Sequence, residues 1–532
     1  MVKKCTNIYH LLCSAMISLA FVLSMRIVVD GGMWGTKDEN YINPYGWKSL
    51  VLFVVTMVVV DILISFAFDY IRIFFKRIQG TQVYTDKKLL NIWTGINVIA
   101  WIPYYLSYYP GGVYSDTFTS VEYYYTGLRT NRHPLLYNYM VGFFIKLSEW
   151  MGQGLNFAFG MFFLVQMIVM IIELRLFNRW MQKKEINKVV VNITMFGLIF
   201  WPLMPLSVVS IWKDTEFCMA FLFWFMAYVD LLQEIHKSKV SVKTIILFVL
   251  GEVLVAFTRN NGIYVVMLTA LLLLIFTIRT KFDKKRAAVI AIVASVAGIL
   301  LVQGPIYNLA GVQQTDAVEK YGIPLQQIGS VVAYNGDISQ EQLETLNQFI
   351  PVGNIAEHYS PCLVDNLKWY AGLNNEYLKD HQKEFLQLWW ELFLQNPKLY
   401  VKAYLLQTVG YWDVDVADYD GYVQTYVWNN TGGVVATDYF ERIFGFSFQH
   451  FVNPRSYISN AWFFWLFLIC TLFCMKYFGF KKVLYFVPQL GVWLTLMIAT
   501  PTAWSLRYIS ALLFTLPFVV LIPILLSRES ES

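Results

Sequence analysis

Long apolar runs broken by short polar stretches set the pattern of this chain. A run of about 18 apolar residues is long enough to cross hydrocarbon as a helix, because a helix satisfies its own backbone hydrogen bonds there. Twelve such segments are read, at approximately 8–29, 48–74, 88–108, 154–178, 188–207, 215–233, 243–258, 262–279, 286–303, 457–477, 482–499 and 507–526. The expected fold class is therefore an all-α polytopic membrane protein with about twelve transmembrane helices. Three regions follow: a membrane core over 1–303, a non-membrane segment over 304–456, and a three-helix membrane segment over 457–532.

Composition agrees with that pattern. Of 532 residues, 57% are hydrophobic and 14% charged, and the mean hydropathy is +0.48. Soluble domains carry nearer a quarter charged residues. Aromatic residues reach 17%, as expected where Trp and Tyr anchor spans at membrane interfaces. Lys3 and Lys4 before the first apolar run also suit a signal peptide. The run is long, however, and Asp30-Gly-Gly-Met-Trp34 after it lacks a small-x-small cleavage pattern. Of the six cysteines, only Cys362 falls in 304–456, so no disulfide forms within that segment. Cys470 and Cys474, one turn apart in a span, read as packing residues.

Charge sets the orientation. Basic clusters occur at Lys3-Lys4, Lys76-Arg77 with Lys87-Lys88, Arg179 with Lys183-Lys184, Lys237/Lys239/Lys243, Arg279 through Arg286, and Lys476 with Lys481-Lys482. With twelve spans they all fall on one side, which the positive-inside rule makes the cytoplasm. A bacterial plasma membrane with both termini cytoplasmic is the expected location. Counting 134–151 as a thirteenth span would break the pattern. That stretch is read instead as an amphipathic helix in the outer interface, with Lys146 and Glu149 toward the head groups. The 304–456 segment then lies outside. It carries seventeen Asp/Glu against eight Lys/Arg, and Asn374 to Leu394 has helical periodicity. A small, mostly helical outer domain is expected there, with a helix opening near Asp337-Ile-Ser-Gln-Glu341.

The candidate chemistry lies at span ends. Tyr109-Pro-Gly-Gly-Val-Tyr-Ser-Asp116 leads to Asn131-Arg-His-Pro134 in the first outer loop, 109–152. Trp212-Lys213-Asp214, Arg259-Asn260-Asn261-Gly262 and Arg507-Tyr508 follow in later loops. All four fall on the outer side, although the cytoplasmic clusters alone fixed the topology. Any one of Lys213, Arg259 and Arg507 reads as a snorkelling anchor. Three of them on the side that basic residues avoid, beside an Asp-His loop, point to a site for a charged head group.

Those residues also carry a family resemblance. Tyr109 through Asp116, with Asn131-Arg-His-Pro-Leu-Leu136, resembles the first outer loop of GT-C glycosyltransferases, especially bacterial members with a Pro-Gly…Asp…His-Pro loop. Trp212-Lys213-Asp214 and Arg259-Asn-Asn-Gly262 are similar to two later motifs of that group. The resemblance covers roughly 88–300 and the terminal spans, and weakens over 304–456. It implies a GT-C-like fold, a polyprenyl-phosphate-linked sugar as donor, an envelope glycan or other acceptor on the outer face, and Asp116 at the catalytic centre as general base. Lys213, Arg259, Arg507 and Arg132 or His133 would then stabilise the leaving phosphate, with Asn260 beside them. Asp214 would orient Lys213 or hold an acceptor hydroxyl. Many relatives pair two acids in this loop; here Glu122 is the acid nearest to Asp116. A divalent metal, Mg or Mn, at Asp116 plus Asp214 stays open as a cofactor. Gln326 and Gln327 fit either sugar hydroxyls or local capping. Asp413 and Asp415, in the run Asp413–Asp420, fit either sugar contact or a solvated loop, since the run lacks the glycine and glutamate of a calcium loop. The bilayer is the other expected partner, and nucleic acid is not expected.

A transporter or lipid flippase is the rival class, using Asp61 in the second span and Glu252 in the seventh. No inverted repeat supports it. A non-catalytic envelope scaffold would need neither Asp116 nor the outer cations.

Overall fold

The computed structural model describes residues 2–25, 47–78, 86–416, 425–452 and 459–529. The ends of the first and tenth expected spans, Asp30–Trp34, Asp418 and Asp420 of the acidic run, and the last three residues of the tail lie outside them. Among the described residues the regular structure is helical, and extended backbone forms only isolated bridges. Among the described residues, eight helices are long and apolar enough to cross a membrane. A ninth arises if the pair Lys188–Phe200 and Leu203–Val209, bent by 45°, is taken as one span. This makes the chain a polytopic helical protein of the membrane class.

The first half of the chain forms α1 (Val2–Ser24), α2 (Trp47–Ile78), α3 (Lys87–Ser107), α4 (Ser115–Thr126), α5 (Leu135–Trp150) and α6 (Leu155–Lys183). It continues with α7 (Lys188–Phe200), α8 (Leu203–Val209), α9 (Lys213–His236), α10 (Val242–Thr258), α11 (Gly262–Arg279) and α12 (Lys285–Leu301). Three segments expected to span, α1, α3 and the 17-residue α10, are helical but stand outside the eight; α3 carries Asn91, Asn97 and four tyrosine or tryptophan rings that lower its apolarity. The 16-residue α5 is also outside them. It buries Tyr137, Val141, Phe144 and Ile145 against α4 and α6 and exposes Lys146 and Glu149.

Burial ranks the helices. In α9, 83% of the apolar window is buried, against 0% in α2, so α9 is central and α2 peripheral. Phe217, Phe221, Trp224, Phe225 and Tyr228 recur at helical spacing along α9, and their rings pack, mostly tilted or edge-to-face, on one another and on Phe248 and Phe518. Proline explains the bend between α7 and α8: Pro202 has no N–H to continue the ladder, and Pro205 follows one turn later. Past the bend the chain runs extended through Ser210–Trp212 before α9 begins.

Residues 304–456 fall into two parts. From Val318 to Tyr400 a set of short helices encloses its own core, including Ile328, Leu346, Phe349, Leu367, Phe385 and Leu392. Ser339 opens the helix Gln340–Phe349 with a reciprocal capping box to Gln342, two residues beyond the expected Asp337. The second part, 425–452, returns to the membrane core. Val113 N–H donates to Tyr426 O, Trp428 N–H to Val113 O, and Thr437 N–H to Tyr109 O.

The turn joining α10 to α11 depends on Gly262. A Cβ there would run into the carbonyl oxygen of Val255. Gly262→Ala is expected to lower stability by about 1–3 kcal/mol through overpacking. Gly95→Ala, where a Cβ meets open space, is expected to leave it unchanged or slightly raised. Thermal unfolding of the detergent-solubilised protein compares the two.

Candidate functional site

Two short extended segments lie side by side at one end of the bundle. Gly112 N–H donates to Val209 O at 3.0 Å, and Ile211 N–H donates to Gly112 O at 2.9 Å. Gly111 makes this approach feasible: its φ is +112°, and a Cβ would sit 3.1 Å from both Ile211 Cδ1 and Val209 O. Side chains from three helices tighten the junction. Thr117 Oγ1 and Tyr137 OH donate to Ile211 O at 2.8 and 3.0 Å, and Gln166 Nε2 donates to Ser210 O at 3.0 Å. Each segment feeds straight into a helix. Asp116 therefore stands in the first turn of α4 and Lys213 and Asp214 in the first turn of α9, one beside the other. Helix N-termini favour anions, so both acids are well placed.

Lys213 Nζ donates to Asp116 Oδ2 at 2.9 Å and meets His133 Nδ1 at 2.7 Å. Arg507 Nη2 lies 3.7 Å from the same Asp116 oxygen, and its Nε lies 3.8 Å from Asp214 Oδ2. Arg259 Nε reaches Asp214 Oδ1 at 3.3 Å. Four segments far apart in sequence thus share one network of two carboxylates, three cations and a histidine. Aromatic rings flank it. The Arg507 guanidinium lies 5.0 Å from the Trp212 ring centre and 4.6 Å from that of Tyr508, and Arg259 lies 5.4 Å from Phe217 and Tyr508. Arg259 Nη1 also donates to Tyr508 O at 3.1 Å. A small pocket of about 10 Å³ adjoins Asp214 and Arg507, lined in part by Ser207, Ser210, Thr215 and Ser510; that is room for about one water.

The electrostatics follow from the contacts. Burial opposes the charge on Asp116, but Lys213 and Arg507 outweigh it and hold the carboxyl well below the usual carboxylate range. Burial, and then Lys213, push His133 down to about 3. The ring is neutral at pH 7, so Nδ1 accepts from Lys213 and the ring proton sits on Nε2.

Other expected site residues support the cluster or stand apart from it. Asn260 Nδ2 donates to Asn131 O at 2.8 Å and clamps the loop carrying His133. Asn138, held by Ser120, donates to His133 O from below. Arg132 turns away and lies over Trp369 in the 318–400 unit, 5.0 Å from the ring centre. Asp214 pairs with Arg259 and Arg507 and forms no ion pair with Lys213, which corrects the orienting role expected for it. For Gln326 and Gln327, both buried, the contacts match the local structural role of the two alternatives rather than the sugar contact. Gln326 donates to Ser360 O and Pro361 O; Gln327 bridges Tyr400 O and Trp389 Nε1. They hold the core of their unit together and present nothing to a sugar. Asp413 is buried and accepts from Ser24 Oγ and Asp415 N–H, while Asp415 is exposed. Asp61 accepts from Ser14 Oγ and Glu252 from Ser295 Oγ, each at a different helix contact. The donor set does not fit Mg or Mn: Lys213, Arg259 and Arg507 already neutralise Asp116 and Asp214. Among the described residues no three of His, Cys, Asp and Glu gather to hold a metal.

Trp212 and Tyr508 had a signal in the sequence, as neighbours of Lys213 and Arg507. Thr117, Tyr137, Gln166 and Asn138 had none, being scattered polar residues inside helices.

The fold and site together define a polytopic helical protein with a charged network at one end of its helical bundle. A family described as a family of unknown function (DUF6020) matches residues 124–532, and the chain belongs to it. The match begins beyond Asp116 and includes His133, Lys213, Asp214, Arg259 and Arg507. No curated protein and no solved structure matches the chain.

His133 makes stability depend on pH. Its folded pKa lies below its unfolded value of about 6.5, so its contribution is fully present above pH 6.5 and is lost as pH falls toward 3. Across that window the thermal stability of the wild type should fall more steeply than that of His133→Gln; parallel curves would contradict the assignment.

Proposed function

We propose that this protein is a membrane glycosyltransferase of the GT-C type, moving a sugar from a polyprenyl-phosphate donor to an envelope glycan or other acceptor. The observation that carries the reading is the network of Asp116, His133, Lys213, Asp214, Arg259 and Arg507, drawn from four separate loops to one end of a bundle of membrane-length helices. Such an end suits a substrate whose lipid stays in the bilayer and whose phosphate lies at its surface. In this reading the bundle has about twelve spans, both termini are cytoplasmic, and 304–456 lies outside a bacterial plasma membrane.

The chemistry follows from the groups present. The acceptor hydroxyl attacks the anomeric carbon and gives its proton to Asp116. The bond from that carbon to the phosphate oxygen breaks, and the electron pair leaves on the phosphate. Lys213 and Arg507 lie where that charge collects, Arg suiting two-pronged contact with phosphate and Lys acting as a point charge. Arg259 keeps Asp214 paired when Arg507 turns from it to the phosphate. His133, neutral, accepts from Lys213 and sets its direction.

The rival transporter reading makes Asp61 the more damaging position. Asp116→Asn is expected to cut sugar transfer by about 10²–10⁴-fold, the usual worth of a general base, with membrane insertion and expression normal. Asp61→Asn is expected to retain transfer. Mass spectrometry of envelope glycans from cells carrying each variant reads both. Full transfer by Asp116→Asn would remove the base assignment, and loss with Asp61→Asn alone would favour transport.

A further inference from the structure

Every cation in the network is engaged by a carboxylate. Lys213 is on Asp116, Arg259 is on Asp214, and Arg507 lies between the two acids. The adjoining pocket has room for about one water. A phosphate entering this arrangement must displace one of the acids from its cations.

The two acids differ in how easily they give way. The Asp214 side chain is 3% exposed, and its two oxygens face two different guanidinium groups. The Asp116 side chain is 22% exposed, and one oxygen, Oδ2, meets both of its cations. Removing Asp214 from its partners would leave a buried, unpaired charge, which is strongly unfavourable. Turning Asp116 away exposes its carboxylate to water from a position already partly open.

We propose that Asp116 is a built-in placeholder for a phosphate: in the resting protein its carboxylate occupies Lys213 and Arg507, and the phosphate group of an incoming lipid-linked donor takes both cations from it, as does the lipid monophosphate left after transfer. The inference rests on the glycosyltransferase reading for the identity of the phosphate as a lipid head group. It also resolves a conflict within that reading. A carboxylate held by Lys213 and Arg507 is a weak base, because the proton it must accept competes with two cations. Once the phosphate draws the cations off, Asp116 regains its basicity with the donor already in place. Donor binding thereby switches the base on, and a stray hydroxyl or water finds no active base before the donor arrives.

The test is isothermal titration of the purified full-length protein at fixed pH and ionic strength, with farnesyl monophosphate as the lipid probe and inorganic phosphate as the free one. Asp116→Asn and Asp116→Ala, which both empty the placeholder position, should bind farnesyl monophosphate on the order of 10-fold more tightly than the wild type, because a like charge leaves the site. Lys213→Met should lose binding in either background. Should one Asp116 variant fail to fold, the other carries the comparison. Unchanged or weaker binding by a folded Asp116 variant, with Lys213-dependent binding in the wild type, overturns the placeholder and leaves the glycosyltransferase reading standing. Binding that ignores Lys213 in every background overturns both. Tightening for inorganic phosphate alone supports the placeholder and overturns the lipid-linked donor.

Discussion

Lys213 reaches from the first turn of one helix to the first turn of another, and the contacts around it decide what that end of the bundle can do. Its bond to Asp116 closes a junction that the backbone has already prepared, where 111–113 and 209–211 run side by side. That junction depends on a glycine with positive φ, on the break at Pro202, and on Thr117, Tyr137 and Gln166 holding the carbonyls of 210–211. Arg259 and Arg507 join through Asp214, the residue next to Lys213 in the chain. A charge network with Asp214 and Arg259 buried and the rest only partly open is costly to assemble, and the backbone pairing, the tight α10–α11 turn and the 425–452 return keep it together.

The network also explains a tension in the chemistry. Cations strong enough to hold a phosphate hold a carboxylate too, so an acid placed beside them is ionised and poorly basic. His133 adds no positive charge, since burial and Lys213 keep it neutral. With three cations and two carboxylates the site carries one net positive charge, which suits an anion that arrives, takes Lys213 and Arg507, and frees Asp116. In the proposed glycosyl transfer, binding and base activation are then one event.

Much of this was legible in the sequence. Hydropathy located the helices, because burial from water and burial in lipid select the same residues. Eight of the twelve expected spans are long and apolar enough to cross a membrane as described, and nine with the bent pair; α3 carries many polar and aromatic groups, and α10 has 17 residues. The four loop motifs were visible because they place Lys and Arg on the side opposite the basic clusters, and three of those cations meet in one network. The partnering was not visible. Asp214 reads as a companion of Lys213, its neighbour in the chain, yet a helix start splays adjacent side chains, and Asp214 turns to Arg259 and Arg507 instead. Gln326 and Gln327 fitted either sugar contact or local capping because an amide is polar in both settings; in their compact unit these groups satisfy buried carbonyls. The pairing of 425–437 with 109–113 lay beyond reach, because it joins residues more than 300 apart by backbone bonds that leave no side-chain pattern.

The most direct measurement is an electron cryomicroscopy structure of the full-length protein in lipid nanodiscs with a polyprenyl monophosphate bound. The account expects the phosphate within ~3 Å of Lys213 and Arg507, with the Asp116 carboxylate turned off Lys213 and Asp214 still paired with Arg259. A phosphate bound elsewhere, with Lys213 still on Asp116, would contradict it.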